Sequence, residues 1–572
     1  MKQGRVDDSR RRRHGERTES SAAAAIARGR QALARADWNA ARAAFEDALR
    51  RQETPEALEG LAEAAWWLND DATVLQARDR AYRSYRSRGD RRGAGRVAIS
   101  LATDAFHLRG APAIARGWHA RAHRLLDGLQ PIPEQGWLRV WEGDVALTLG
   151  EDPERVRRLA GDAARLGAAL RDVDLEMTAV ALEGLALVIA GALSQGLPRL
   201  DEATTAVVSG DMGSPLAIGL SSCYLVTACE RVRDFDRAAQ WCDHIREFCA
   251  RTRFELLLVV CRIQYAAVLA WRGAWAEAER ELQAAARHFG PARPLVHQEA
   301  IVRLADLRRQ QGRSEEAAAL LKEVDRHPAS LLVHAALALD GAQPAVAAHL
   351  AQRFLRRVPA SNRTDRVAAL DVLLRAQVAL GRGTEASATL AALRAIAEAV
   401  PTDAITATAL VADGLIAKAA GDHVHARDAF EDAIDRLARS GASLELARCR
   451  VELARALGAV GERARADAVL REALQAFQRL GAVRDSEAAT ALRRDLTVDR
   501  PRSNRQPSRA TLTPREVEVV RLLAQGLSNR AIGARLKLSP FTVKRHVANV
   551  LAKLDVPSRA AAVARAAHDA LL

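Results

Sequence analysis

The chain is poor in the residues that most often carry chemistry or cross-links. Its 572 residues include six cysteines, ten phenylalanines, nine tryptophans and four tyrosines, so aromatics make up only 4%. So few cysteines, with no apolar leader after Met1, exclude a disulfide-stapled secreted scaffold and point to the cytoplasm. Five of the six lie between Cys223 and Cys261, but the spacings Cys223-x5-Cys229 and Cys242-x6-Cys249 are wider than the tight pairs of zinc sites. They read as small thiols on helix faces, and no metal is expected. The longest apolar stretch, Met177 to Leu193, is interrupted by Glu183 and fits a buried helix rather than a membrane span. Gly-Lys-Ser/Thr is missing, so there is no phosphate-cradling loop. His-Glu-x-x-His, Gly-x-Ser-x-Gly and a dinucleotide Gly-x-Gly-x-x-Gly after a strand are missing too. No catalytic residue, cofactor or membrane partner is therefore expected. Strand-like alternation is scarce throughout.

Lysine is also rare, six against seventy-nine arginines, in an alanine-rich chain. That usage suits a GC-rich bacterial genome, so an arginine run alone says little. Where the charge sits says more. The net charge is +14, and the segments 1–19, 499–510 and 511–572 contribute +3, +3 and +6. The long middle is nearly neutral, so an acidic polymer would be met at the ends.

What the sequence does have is a repeat. Ala36-Asp-Trp-Asn-Ala-Ala-Arg-Ala-Ala-Phe-Glu-Asp-Ala-Leu49 returns at Gly421 as Gly-Asp-His-Val-His-Ala-Arg-Asp-Ala-Phe-Glu-Asp-Ala-Ile, with eight of fourteen positions identical. With a turn residue as zero, a small residue recurs at +5, an apolar one at +9 and a small or apolar one at +12. Arg233, Gly273, Gly312, Gly381, Gly421 and Gly461 are such turns, at intervals of 40, 39, 69, 40 and 40. The long interval is expected to hide a degenerate unit near Gly341, with Ala347 and Phe354 in its core. Small residues at +5 and +12 let two helices approach, and the +9 side chain fills the space between them. No unit of this length buries its apolar stripe alone, so neighbours must stack. The pattern resembles a tetratricopeptide-type array with an expanded repeat, over residues 21–495.

Residues 1–20 read as a disordered basic tail. The segment 496–511, with two prolines and four arginines, reads as a flexible linker. Four short helices are expected in 512–572. Thr513-Pro-Arg-Glu516 has the elements of a capping box with a first-turn proline, and Val517, Val520 and Leu523 form the expected apolar face. Ser528 caps a second helix, Ser539-Pro540 opens the third and Ser558 opens the fourth. At 100° per residue, Val543, Val547, Val550, Leu551 and Leu554 share one face of the third helix. Phe541, Lys544, Arg545, Ala548 and Ala552 share the opposite face, with Thr542, His546, Asn549 and Lys553 along a flank. The outer face is cationic and, at Ala548 and Ala552, small enough to enter a groove; its lysine and arginine suit base edges. The flank would lie beside phosphates. A charged helix face can equally well be a solvated one.

The whole stretch is similar to the LuxR-type helix-turn-helix domain. It has Leu512-Thr-x-Arg-Glu516, Gly526-x-Ser-Asn529, Ile532-x-x-x-Leu536, Ser539-x-x-Thr-Val-Lys-x-His546 and Lys553-Leu-x-Val-x-x-Arg559. It departs at Arg530-Ala531, where Lys-Glu is frequent, and at Gly533, where alanine is usual. The resemblance implies a bacterial transcription regulator that binds double-stranded DNA as a dimer through its fourth helix, with RNA polymerase a candidate partner. Carried over to matching positions, Lys544 and Arg545, with Ala548 beside them, would meet bases. Asn529, Thr542, Asn549 and Lys553 would hold phosphates, and Ser539 and Pro540 would cap the reading helix. The layout also resembles the large maltose-regulon-activator type of LuxR regulator, without the ATPase module.

The expected fold is all-α: a tetratricopeptide-like α-solenoid followed by a four-helix LuxR-type helix-turn-helix domain. The expected function is a sequence-specific regulator whose repeats receive a small-molecule or protein signal. The alternative is a repeat scaffold that uses its basic end for non-specific DNA anchoring.

Overall fold

The computed structural model describes residues 20–498 and 512–568, apart from 253–255, 291–292, 325–326, 539, 555 and 557–558. Residues 1–19 of the expected tail, 499–511 of the expected linker and Ser539 lie outside the described residues, whereas Ser20 already belongs to the first helix and residues 496–498 continue the last helix of the array. Among those described there is no strand. A helix over 20–34 is followed by Trp38–Arg51, and helices then succeed one another through short turns to Val483–Val498. The chain is an α-solenoid with a smaller helical unit at its C-terminal end.

The expected turn positions have the backbone their sequence suggests. Gly273, Gly312, Gly381, Gly421 and Gly461 have φ of +91°, +85°, +71°, +83° and +86°, and Arg233 has +58°. This left-handed conformation ends one helix of each hairpin and frees the chain to start the next. Aspartate then opens several second helices. Asp37, Asp70, Asp90 and Asp422 each accept a hydrogen bond from a first-turn N–H.

The +5, +9 and +12 side chains form the core. Ala426, Phe430 and Ala433 are fully buried, as are Ala466, Leu470 and Ala473. The Phe430 ring lies over Gly414 in the preceding helix, Asp403–Ala419, where an added Cβ would stand 2.6 Å from the ring. Phe45 makes the same approach to Gly60, at 2.2 Å. Glycine on one helix makes room for phenylalanine on its neighbour.

The degenerate unit is present, but its turn falls one residue later than expected. Gly341 has φ of −87°, and Ala342 takes the left-handed position at +55°. Counted from Ala342, the buried residues Ala347, Ala351 and Phe354 fall at +5, +9 and +12. The irregular spacing comes from two short helices, Ser314–Glu323 and Ser330–Asp340, of 10 and 11 residues.

The array coils far enough for distant repeats to touch. Trp271 Nε1 donates to the Ser440 carbonyl at 3.0 Å, and Thr402 Oγ1 donates to the Val232 carbonyl at 2.8 Å. Arg293 stacks on Trp66 with its guanidinium carbon 3.6 Å from the ring centroid. Glu183, the carboxylate in the apolar stretch, is buried against Arg199 at 3.1 Å. No helix among the described residues is long and apolar enough to cross a membrane. Cys229 and Cys449 are buried, which pushes both thiols up and suits a packing role.

Candidate nucleic-acid interface

The C-terminal unit contains helices Pro514–Ala524, Asn529–Leu536, Pro540–Leu554 and Arg559–His568. The first begins with a closed capping box: Thr513 Oγ1 accepts from Glu516 N at 3.2 Å, and Glu516 Oε2 accepts from Thr513 N at 2.8 Å. Ser528 caps the second by accepting from Ala531 N at 3.2 Å. Lys537, at φ +56°, ends that helix and turns the chain toward the third.

Val519, Leu522, Leu523, Ile532, Leu538, Val543 and Val547 make one core cluster, and Val520, Val550, Ala562 and Ala566 make a second. The valine face of the third helix therefore turns inward, with Leu551 and Leu554 half-buried. The first helix buries Val520 and Leu523 as expected, within a stripe wider than the expected face. Val517 is only half-buried, whereas Val519 and Leu522 are buried, because the helix packs between the third and fourth helices and needs a wider stripe.

The expected contact residues do not share one environment. Lys544 and Ala548 are exposed on the outward side of the third helix. Asn549 is half-buried, and so is Asn529, whose Oδ1 has no hydrogen-bond partner within the protein. Lys553, expected to stand free on the flank, places its ammonium 2.6 Å from Glu516 Oε2 and ties the end of the third helix to the capping box of the first. Pro540 begins the third helix, and its side chain lies outside the described residues, as do those of Phe541 and Ala552.

Thr542, Arg545 and His546 instead meet the repeat array. Thr542 is fully buried, and its hydroxyl donates to Asp435 Oδ2. Arg545 Nη2 lies 3.3 Å from Glu431 Oε2, and His546 is buried beside them. Both acidic residues belong to helix His423–Arg439, whose Asp428, Glu431, Asp432 and Asp435 follow i, i+3, i+4, i+7 and so share one face. Burial pushes the Glu431 carboxyl up, but Arg545, then Arg465 and His546, outweigh this and hold it below the usual range. Asp432 has less help: burial and the neighbouring carboxylates push it up to about 6 against the pull of Arg515. Burial keeps the His546 imidazole below its ordinary value.

Sequence reasoning missed this acidic face, although the signal was there. In the matching helix Trp38–Arg51, Ala43 and Arg50 occupy the positions of Asp428 and Asp435. Only the later copy extends Glu-Asp into a row of four carboxylates.

Residues 510–566 match the family described as "Bacterial regulatory proteins, luxR family". An HTH-type transcriptional regulator of Mycobacterium tuberculosis is 48% identical over 66 residues, 11% of this chain and 8% of that protein. The nitrate/nitrite response regulator protein NarP of Escherichia coli is 53% identical over 53 residues, 9% of this chain and 25% of NarP. The matches thus span a small part of either relative. The crystal structure of the APC/C hetero-tetramer Cut9–Hcn1 aligns over 82% of this chain and 95% of that one, with a TM-score of 0.43 and 14% identity. Residues 510–566 of the C-terminal unit thus form a LuxR-type helix-turn-helix domain.

Proposed function

We propose that the protein is a sequence-specific regulator whose helix Pro540–Leu554 reads the major groove and whose repeat array receives the controlling signal. The observation that carries this reading is the turn from Asn529–Leu536 into Pro540–Leu554. It is supported by a continuous valine core and presents Lys544 and Ala548 outward. A major groove takes one helix, and its guanine edges accept hydrogen bonds from lysine and arginine. Lys544 and Arg545 are assigned to bases, with Ala548 giving the close approach. Asn529, Thr542, Asn549 and Lys553 are assigned to phosphates, which set register rather than sequence.

The fourth helix buries Ala562 and Ala566 inward and leaves Ala564 and Ala567 exposed. That small-residue side suits a homodimer contact on DNA, and a pair of half-sites would follow from it. The signal, a small molecule or a protein, is assigned to the array because the array is most of the chain and touches the reading helix. Contact with RNA polymerase belongs to the same proposal.

Selection of duplexes from a random-sequence pool by the full chain tests the reading. A recurring motif, built of two half-sites and altered in the Lys544→Ala variant, is expected. Recovery of DNA with no enriched motif would favour non-specific anchoring by a scaffold.

A further inference from the structure

Helix His423–Arg439 has two faces with different tasks. Ala426, Phe430, Ala433 and Leu437 are buried in the array as in other repeats. The other face carries Asp428, Glu431, Asp432 and Asp435, two carboxylates more than the matching helix at Trp38–Arg51. A stacking repeat has no need of such a row, because like charges at i, i+3 and i+4 repel. Part of it is neutralised within the array: Arg427 lies 2.9 Å from Asp428, and Arg465 lies 2.7 Å from Glu431. Further partners come from the C-terminal unit. Thr542 donates to Asp435, Arg545 pairs with Glu431 at 3.3 Å, and Arg515 pulls on Asp432.

We propose that this acidic face is the docking surface for the chain's own DNA-reading helix, its carboxylates standing where phosphates and base edges would stand, so that docking and DNA binding exclude each other. The inference rests on the reading of Pro540–Leu554 as the helix that enters the groove. The steric part is direct. A B-DNA major groove is about 12 Å wide, and one helix with its side chains is about 10–12 Å across. The groove cannot take that helix with a second one held within side-chain reach on the same flank. The chemical part agrees with it. Thr542 and Arg545 are engaged by the array, while Lys544 and Ala548 remain exposed. Arg545 keeps Nε and Nη2 without an aligned hydrogen bond to the protein, so the contact with Glu431 is one of charge. Guanine and phosphate oxygens would give these donors the alignment that Glu431 does not. Docking is therefore an exchangeable contact, and a signal that shifts helix His423–Arg439 would change how much of the reading helix is available.

The test uses the full chain and a fluorescein-labelled duplex taken from the selection, with a scrambled duplex beside it. Glu431→Gln combined with Asp435→Asn keeps the size of both side chains and should raise affinity for the selected duplex by about tenfold, a typical coupling between sites. Removing two negative charges also favours DNA in general, so Glu398→Gln with Glu315→Gln, two exposed positions elsewhere on the array, serves as the charge-matched control. The control should change affinity by less than about twofold, an exposed-charge effect screened by salt. Equal gains in the two double variants would overturn the proposal. A second readout does not need tight DNA binding. Spin labels at positions 438 and 525, both exposed and outside the DNA-reading face, should give one narrow distance in the free wild-type chain. Added duplex should broaden or lengthen it, and the Glu431→Gln/Asp435→Asn variant should show the change without DNA. A broad distance in the free chain, or a narrow one that persists when duplex is bound, would sink the proposal. Failure to bind any duplex, with the narrow distance intact and lost in the double variant, would place the error in the DNA reading rather than in the docking.

Discussion

Arg545 and Lys553 show how much one side chain's surroundings decide. The helical wheel sets Arg545 on the outer face and Lys553 on the flank, yet Arg545 lies on Glu431 of the array and Lys553 on Glu516 of its own unit. Arg545→Ala should therefore spare the fold of the C-terminal unit. It should cost about 1–3 kcal/mol at the selected site and relax preference at one or two base pairs, as read by competition with single-base variants. Lys553→Ala leaves Glu516, only 3% exposed, without its counter-charge. It should destabilise the unit by about 1–3 kcal/mol, visible as a lower unfolding midpoint before any DNA is added. An unchanged midpoint would show that the pair adds no stability and would leave Lys553 with the phosphate role alone.

Asp432 adds a pH dependence at the same scale. Its carboxyl is pushed from 3.8 to about 6, so between those values the folded state holds a proton that the unfolded state has lost. Stability contributed at this position is thus full below the lower value and declines as pH rises through about 6. Asp432→Asn removes that penalty. It should raise stability at pH 7.5, read as a higher thermal midpoint, by on the order of 1–2 kcal/mol given about 1.4 kcal/mol per pKa unit and the residue's partial exposure. The advantage should shrink when both proteins are melted at pH 5. A constant advantage at both pH values would mean that the charge is not the cause.

At the scale of the element, the repeat was legible because its cause is local. A left-handed turn residue, a small side chain at +5 and a larger one at +9 are all set within one hairpin, and they gave the right buried residues at Gly273, Gly312, Gly381, Gly421 and Gly461. The unit near Gly341 was misplaced by one residue, since an alanine at φ +55° does not announce itself as glycine does. In the first C-terminal helix Val520 and Leu523 are buried as expected, and only Val517 departs. Its buried stripe is set by two partners, so Val519 and Leu522 are buried beside the expected pair. Phe430, fully buried over Gly414, offers the sharpest test of the array. Phe430→Ala should cost about 3–5 kcal/mol, because the glycine beneath the ring cannot fill the hole. Hydrogen exchange should show the loss concentrated in helices Asp403–Ala419 and His423–Arg439, as expected where each repeat leans on its neighbours.

At the scale of the whole molecule, the sequence separates a neutral array from basic ends but does not show how they meet. The contact between Thr542 and Asp435 joins positions 107 residues apart, and no periodicity reaches that far. What could be seen in advance was the row of four carboxylates, and its meaning depends on what lies opposite. The coiling of the array has the same character. Trp271 on Ser440 and Arg293 on Trp66 fix the superhelix through pairs that no local pattern specifies.

The central claim is that the C-terminal unit reads sequence, and one titration tests it most directly. The full chain is titrated against the selected duplex and against a scrambled duplex of the same length and composition, at several salt concentrations. The account predicts a preference of roughly 10³ or more for the selected site, persisting as salt weakens both complexes, and reduced in Arg545→Ala mainly on the selected duplex. Equal affinity for the two duplexes, with Arg545→Ala weakening both alike, would contradict it.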